Sequence, residues 1–128
     1  MIFIDTSALF ALLDRDDEAH ARARAFFEGS PRSLITHNYA VAETVALVHR
    51  RLGPVPARSF LEDLLPSIAI RWVDQEIHRA AVSAFLAAVR RRASLVDWVS
   101  FEIMRREGID HAFTFDRDFA AQGFTLVP

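Results

Sequence analysis

Two aspartates come directly after apolar segments that are typical of buried strands. Asp5 follows residues 2–4, and Asp116 follows residues 112–115. In open α/β sheets the carboxyl ends of the strands line the crevice that binds ligands, so these two carboxylates are expected to converge. A simpler role stays open for each of them, because aspartate is also a favoured N-terminal cap for a following helix.

Glu43 is predicted to stand on an apolar helix face. Its neighbours one helical turn away are Tyr39, Ala40, Ala46 and Leu47. A carboxylate in apolar surroundings is costly unless it is paired or bound to a cation. Pairing with an arginine, for example Arg71 or Arg105, is the alternative to a cation at this position.

Asp97 is also embedded in apolar sequence, between Val96 and Trp98, at the predicted start of a helix. It competes with Ser94 for the role of N-terminal cap. Ser100, three residues further along the helix, offers a hydroxyl group that could support the Asp97 carboxylate. Asp97 is therefore a third kind of candidate, an acid at a helix start.

The joint pattern of four such carboxylates predicts a metal site. All 15 basic residues are arginines, so no lysine is present to neutralise the cluster. Carboxylate oxygens are hard ligands that suit Mg²⁺ or Mn²⁺. A cation held in this way can activate water and neutralise a scissile phosphate, which is the chemistry of phosphodiester hydrolysis.

Length and composition narrow the class of protein. The 128 residues predict one domain over residues 1–128, and the net charge of −2 gives no overall basic field for nucleic acid. The chain has no cysteine, which excludes disulfides, thiolate metal sites and cysteine nucleophiles. We find neither a signal peptide nor a membrane span in the sequence, and we expect a cytoplasmic protein that does not contact membranes.

Apolar periodicity predicts strands that alternate with helices. The predicted strands are residues 2–4, 33–36, 68–73, 112–115 and 124–127. The predicted helices are residues 6–13, 18–27, 37–51, 57–65, 75–92 and 97–107, with a helical turn over 116–120. This alternation favours a three-layer α/β/α sandwich around a central, mainly parallel sheet. The phenylalanines and Trp72 are expected in the core.

Four stretches in order resemble the motifs of PIN-domain ribonucleases of the VapC toxin type. In residues 2–9, a predicted strand is followed by an aspartate and then by hydroxyl residues. Residues 42–44 place a glutamate within a predicted helix. Residues 94–101 carry the third acid, and residues 114–119 follow a Thr-x-Asp-x-x-Phe pattern. The resemblance covers essentially the whole chain and implies the PIN fold.

The resemblance implies a role for each acid. Asp5, Glu43 and Asp97 would be the main ligands of a Mg²⁺ or Mn²⁺ ion, and Asp116 would complete the acidic pocket, with one metal or two left open. Thr6 and Thr114 would support the carboxylates by hydrogen bonding, as Ser100 could. Asp118 is an additional candidate acid, and Asp116 is preferred to it because it lies nearer the strand end.

The resemblance also implies partners. Proteins of this type cleave tRNA or ribosomal RNA, form homodimers and are inhibited by a VapB-type antitoxin. The helix over 6–13 has more apolar positions than one core face needs, so part of it and the helix after Asp17 are candidates for antitoxin contact, although core packing explains them as well. The arginines that could contact RNA phosphates are Arg50, Arg51, Arg90, Arg91, Arg92, Arg105 and Arg106. Their alternative role is to complement helix C-termini.

Other functions fit less well. A phosphatase of the haloacid-dehalogenase type needs a second aspartate where Ser7 stands, and it needs a lysine. A PIN fold that binds RNA or protein without cleaving would be signalled by loss of an acid, and all four are present. A housekeeping PIN nuclease of RNA maturation remains the alternative enzyme.

Overall fold

The computed structural model describes residues 1–88 and 92–128, and it is built on a five-stranded sheet. The strands are β1 (Ile2–Ile4), β2 (Leu34–His37), β3 (Ala69–Arg71), β4 (His111–Phe113) and β5 (Thr125–Val127). Their order is β3-β2-β1-β4-β5, and every pair is parallel. The prediction of a parallel α/β sheet is confirmed.

Helices connect successive strands. Over the described residues they are α1 (Thr6–Leu13), α2 (His20–Gly29), α3 (Asn38–Leu52), α4 (Pro54–Ser59), α5 (Gln75–Ala87), α6 (Leu95–Glu107) and α7 (Asp118–Ala121). A π-helical turn (Phe60–Leu64) and a 3-10 turn (Leu65–Ser67) continue α4. Within the two described ranges, no helix has the length and apolar character that crossing a membrane requires.

The core lies on both faces of the sheet, as a three-layer sandwich requires. Successive side chains of β1 point to opposite faces, so Ile2 and Ile4 pack into one cluster and Phe3 into another. The first cluster is covered by α1, α2 and the segment that begins at α4, and the second by α6 and α7. The central strand β1 therefore holds its carboxyl end, and Asp5 after it, between two layers of helices.

Apart from β1 and α1, the predicted elements differ from the observed ones by one or more residues at an end. The fourth helix begins at Pro54 and not at residue 57, because a helix does not need the amide hydrogen that proline lacks in its first turn. The long fifth helix ends at Ala87 and not at 92, since Ala88 is extended and caps it. Strand β4 ends at Phe113, two residues earlier than predicted.

The expectation for aromatic residues holds for phenylalanine and fails for Trp72. Every phenylalanine is buried or half-buried, but the Trp72 side chain is 65% exposed. Trp72 directly follows β3, the edge strand of the sheet, so it has no neighbouring strand on one side. The prediction that it belongs to the core is wrong.

Candidate metal centre

Asp5 is both a helix cap and a strand-end acid. Its Oδ1 atom accepts the amide hydrogen of Ala8 at 3.1 Å, which caps α1, and the hydroxyl hydrogen of Ser7 at 2.7 Å. Its Oδ2 atom accepts the Thr114 hydroxyl at 2.7 Å. The side chain is buried, and the two roles that the sequence left as alternatives coexist because the strand end is also the helix start.

The hydroxyl that supports Asp5 beside Thr114 comes from Ser7 and not from Thr6. Ser7 Oγ also lies 3.2 Å from Thr114 Oγ1 and accepts the Phe115 amide at 3.0 Å. Thr6 Oγ1 is buried without a hydrogen-bond partner among the described residues. Successive helical residues point about 100° apart, so the two side chains cannot face the same acid, and the expectation for Thr6 is wrong.

Asp97 lies in the first turn of α6, three residues after the cap. Ser94 Oγ accepts the Asp97 amide at 3.2 Å, and Asp97 Oδ2 accepts the Ser94 amide at 2.9 Å, which together form a capping box. Ser94, and not Asp97, is the N-terminal cap. The reciprocal bond fixes the Asp97 carboxylate and leaves its Oδ1 atom without a hydrogen bond from the described residues.

Asp116 and Asp118 belong to a turn that begins beyond β4. Thr114 Oγ1 accepts the Asp116 amide at 3.0 Å, and Asp116 Oδ1 accepts the Asp118 amide at 2.9 Å. Asp116 therefore does not end the strand as predicted, since Phe113 is the last strand residue. Thr114 links this turn to the buried Asp5 carboxylate.

Three carboxylates come close enough to share one cation. Carboxylate oxygens of Asp97, Asp116 and Asp118 all lie within 4.8 Å of one another, and all three residues are half-buried. The sequence preferred Asp116 to Asp118 as the fourth acid, but the structure brings both to Asp97. The turn that carries them explains this, because a short turn can aim two alternate side chains at one point.

Glu43 is half-buried on α3 and has no arginine partner. Within the described ranges it forms no ion pair, while Arg71 pairs with Glu107 at 2.9 Å and Arg105 donates to Gln122 at 2.8 Å. The arginine alternative for Glu43 is therefore not what the structure contains. The Glu43 charge reaches the cluster, because it contributes to the raised pKa of Asp97.

Burial and mutual repulsion raise the pKa of two of the acids. Burial raises the pKa of Asp5 from 3.8 to about 7, although hydrogen bonds from Thr114, Ser7 and Ala8 lower it, and the Asp97 charge adds a smaller rise. Burial likewise raises the pKa of Asp97 to about 6, opposed by Ser94 and reinforced by the charges of Asp116 and Glu43. The four predicted acids thus act on one another electrostatically.

Sequence reasoning missed His37, which joins β2 to α6. Its Nδ1 atom accepts the Ala40 amide at 3.1 Å and caps α3, so Nε2 carries the hydrogen and donates to Ser100 Oγ at 2.8 Å. Ser100 in turn donates to the Val96 carbonyl at 3.0 Å. The expectation that Ser100 supports a carboxylate is wrong, because this hydroxyl is committed to His37 and Val96.

The signal for His37 was its place in the chain, between a strand and a helix, where a ring nitrogen can serve as a cap. Burial lowers the pKa of His37 to about 3, which keeps the imidazole neutral. The ring also stacks on Phe3, with centroids 5.6 Å apart. His37 therefore ties the start of α3 to Ser100 in the first half of α6, and these two helices carry Glu43 and Asp97.

The structure separates most of the predicted arginines from the acids. Arg50 and Arg51 lie at the end of α3, about 11 Å along its axis from Glu43, and Arg105 and Arg106 lie about 13 Å along α6 from Asp97. Arg106 pairs with Glu102 and Glu76, at 2.7 and 2.9 Å. Arg90 and Arg91 lie outside the described residues.

The donor set fits a hard divalent cation. Asp5 Oδ2 accepts one hydrogen bond and so keeps a lone pair, and one oxygen each of Asp97 and Asp116 accepts none from the described residues. Carboxylates that raise one another's pKa are those a cation would stabilise. Asp97, Asp116 and Asp118 could hold the ion. Asp5 and Glu43, which were predicted as main ligands with Asp97, are not part of this group among the described residues, although Asp5 and Asp97, and Glu43 and Asp97, interact electrostatically.

Comparison with known proteins finds a family model and two solved structures that this chain resembles. A family model described as PIN domain matches residues 2–124. The chain is 34% identical over 128 residues to the 23S rRNA-specific endonuclease VapC20 of Mycobacterium tuberculosis, covering 99% of this chain and 98% of that protein. The crystal structure of VapC20 from the same organism, described as a sarcin-ricin loop cleaving toxin, superposes with a TM-score of 0.91 and 32% identity over 98% of this chain and 97% of the other.

A more distant structure shares the fold. A toxin-antitoxin complex from Klebsiella pneumoniae has a chain that superposes with a TM-score of 0.71 at 16% identity, covering 100% of this chain and 97% of the other.

Proposed function

Because the chain belongs to the PIN-domain family, we propose that it is a divalent-metal-dependent endoribonuclease that acts as a VapC-type toxin. The observation that carries the proposal is the convergence of acids from distant segments, Asp5, Glu43, Asp97 and Asp116, with Asp118 beside them. The full-length similarity to a 23S rRNA-specific endonuclease supports RNA as the substrate.

The proposed chemistry divides between the cation and the chain. A bound Mg²⁺ or Mn²⁺ would supply Lewis acidity, which activates water and neutralises charge on the scissile phosphate. Asp97, Asp116 and Asp118 would hold it. Asp5, fixed by Ser7 and Thr114, would keep its free lone pair directed at the same crevice, and Glu43 would add negative charge there.

We further propose ribosomal RNA as the target, in preference to the tRNA that the sequence left open. The relative with 34% identity is specific for 23S rRNA, and its solved structure is described as that of a toxin that cleaves the sarcin-ricin loop. A loop is a suitable target, because unpaired nucleotides can leave the helix and enter a cleft.

The test is cleavage by purified protein of total RNA and of ribosomes, with Mg²⁺, Mn²⁺ or EDTA. Wild type should release discrete fragments that need the metal, with ends that map to 23S rRNA. Asp97→Asn and Asp5→Asn should lower the rate at least ~10²-fold, because each removes a charge from the site without changing its volume. Asp16→Asn, at an exposed position outside the cluster, is the matched control.

Other outcomes would change the proposal in defined ways. Cleavage that persists in EDTA and in both variants would contradict the metal centre. Specific processing of a precursor RNA in place of mature rRNA would indicate a housekeeping nuclease. A folded protein that binds RNA but cuts none under either ion would indicate a binding module.

We also propose a VapB-type antitoxin as partner and a groove that receives it. The groove has a volume of about 670 Å³ and runs between the end of α1, one face of α2 and the α4 segment. Leu12, Leu13, Phe27 and Val55 give it apolar walls. Arg15 and Arg24 stand at its side, with Arg24 paired to Glu28 at 2.8 Å, and Asp63 lines it as well. Apolar walls with flanking arginines suit an amphipathic segment that carries acidic residues.

A homodimer and a cytoplasmic location complete the proposal. The exposed side chains of Trp72 and Leu86, at 65% and 60%, are apolar surface that a second copy could cover. A toxin that acts on ribosomal RNA would meet its target in the cytoplasm. Light scattering of the purified protein tests the dimer, and a mass of one chain at all concentrations would contradict it.

A further inference from the structure

A small pocket lies directly beside the acidic cluster and is not explained by metal binding. It occupies about 220 Å³ between the start of α6, the residues before it and α7. Its walls include Trp98, Phe101, Asp118, Ala121, Gln122 and Arg92. Asp118 belongs both to this pocket and to the acidic cluster, and Trp98 follows Asp97 in the chain. Anything in the pocket is therefore next to the proposed cation site.

Aromatic packing fixes one wall of the pocket. The half-buried Trp98 ring meets Phe101 edge-on, with ring centroids 5.3 Å apart and an interplanar angle of 84°. Phe101 is itself buried and meets Phe119 at 4.9 Å, which anchors this contact in the core. Trp98 is thus a rigid platform, and flat rings stack well on such a surface.

Polar groups stand around the same space. Arg92 is exposed and forms no ion pair with the described residues. The Gln122 Oε1 atom accepts from Arg105 at 2.8 Å, so its amide nitrogen is the group left to donate. With the Asp118 carboxylate, the pocket offers both donors and an acceptor. Nucleobase edges present the complementary acceptors and donors.

We propose that this pocket binds an unpaired nucleobase of the RNA, stacked on Trp98, adjacent to the phosphate that is cut. Its volume is about seven times that of a water molecule in the liquid, which leaves room for one base. The inference rests on the proposed ribonuclease function and adds to it the group that selects the cleavage site. Trp98 and Arg92 would set specificity, while the acids carry out the chemistry.

The test uses Trp98 fluorescence in full-length protein. The chain has two tryptophans, so Trp72→Phe leaves Trp98 as the only one. Short homopolymeric RNAs of each of the four bases are titrated in EDTA, beside the same backbone made entirely of abasic residues, and total binding is followed by anisotropy. At least one base should quench Trp98, and the abasic strand should not. Loss of the stacked base should weaken binding roughly tenfold.

Two variants on α7 provide a matched pair. Ala121→Phe fills the pocket, whereas Ala120→Phe places the same side chain on an exposed neighbour that does not line it. Ala121→Phe should abolish quenching and weaken binding roughly tenfold, while Ala120→Phe should match wild type. Arg92→Ala should weaken binding of the base-bearing RNA by a larger factor than it weakens binding of the abasic strand, whose phosphates the arginine also attracts.

Three results would overturn the proposal of a base-binding pocket. They are RNA that binds without changing Trp98 fluorescence, RNA that does not bind, and an Ala121→Phe variant that behaves as Ala120→Phe does. Metal-dependent rRNA cleavage, measured in parallel, would still stand in those cases and would preserve the proposed function. If base-dependent quenching occurs and cleavage does not, the pocket is supported and the nuclease proposal fails.

Discussion

Asp5 illustrates why a single residue could be located from the sequence while its chemistry could not. Strand β1 ends at Ile4 and α1 begins at Thr6, so Asp5 can cap the helix and face the crevice at once. The sequence predicts where Asp5 lies, but it does not predict which hydroxyl groups surround the carboxylate. Ser7 and Thr114 are 107 residues apart in the chain and 3.2 Å apart at the site. Only the fold determines that Ser7, and not Thr6, reaches the carboxylate.

The raised pKa of Asp5 predicts that this residue makes the metal-free protein less stable as pH rises. A folded-state pKa of about 7, above the ordinary 3.8, favours the protonated form in the folded state. This contribution to stability is complete below pH 3.8 and is lost as pH rises through 7. Asp5→Asn should therefore make the protein more stable than wild type at pH 8 in EDTA, by up to a few kcal/mol, with little difference near pH 4.

Urea unfolding of both proteins between pH 4 and pH 8 measures this difference. Mg²⁺ at pH 8 should stabilise wild type more than Asp5→Asn, because a cation that binds only the folded state adds to its stability. Asp16→Asn reports the effect of removing an exposed charge. A stability difference between wild type and Asp5→Asn that does not change with pH or Mg²⁺ would contradict the buried, cation-dependent carboxylate.

At the scale of elements, periodicity predicted the type and order of the helices and strands but not all of their ends. Apolar residues continue at helical spacing beyond Ala87, yet the backbone of Ala88 is extended. Residues 114 and 115 extend the apolar run of β4, yet the hydroxyl of Thr114 is used by Asp5 and by the Asp116 amide. Ends of this kind depend on contacts between distant segments, which the local pattern does not contain.

His37 holds α3 and α6 together, and the burial of its ring predicts how stability depends on pH. Burial keeps the folded-state pKa near 3, whereas the unfolded chain binds a proton near 6.5. The stability that neutral His37 provides is present above pH 6.5 and is lost as pH falls towards 3. Between pH 7 and pH 5 this loss amounts to about 2 kcal/mol.

His37→Asn should remove that acid sensitivity. Asparagine preserves the cap of α3 but cannot titrate, so its unfolding free energy should fall less than that of wild type between pH 7 and pH 5. Asp5 changes stability in the opposite direction over an overlapping range, but it is present in both proteins and cancels in the comparison. His49→Asn, an exposed position on the same helix, is the control. An equal pH dependence in His37→Asn and wild type would show that the ring is not buried neutral.

At the scale of the whole molecule, the parallel sheet made the site predictable. The acids lie between residues 5 and 118 in the sequence. They meet because the parallel sheet brings the end of β1, the turn beyond β4 and the first two turns of α3 and α6 to one edge. The sequence indicated the groove proposed for the antitoxin only through surplus apolar residues on the first helix, with the helix after Asp17 as a further candidate for contact. Its third wall contains Val55 and Leu64. The contacts of that segment with α1 and α2 cannot be predicted from a local sequence pattern.

The groove and the acidic cluster share no lining residue, so inhibitor binding and cleavage should be separable by mutation. Val55 is 73% exposed in the groove, and Val55→Asp would place a charge where the antitoxin is proposed to pack. We expect this variant to cleave rRNA as wild type does and to bind the cognate antitoxin at least roughly tenfold more weakly, measured by calorimetry. Leu61→Asp, at an exposed apolar position that does not line the groove, should bind it normally. If Val55→Asp is inhibited as fully as wild type, the antitoxin does not use this groove, and it must inhibit through another surface.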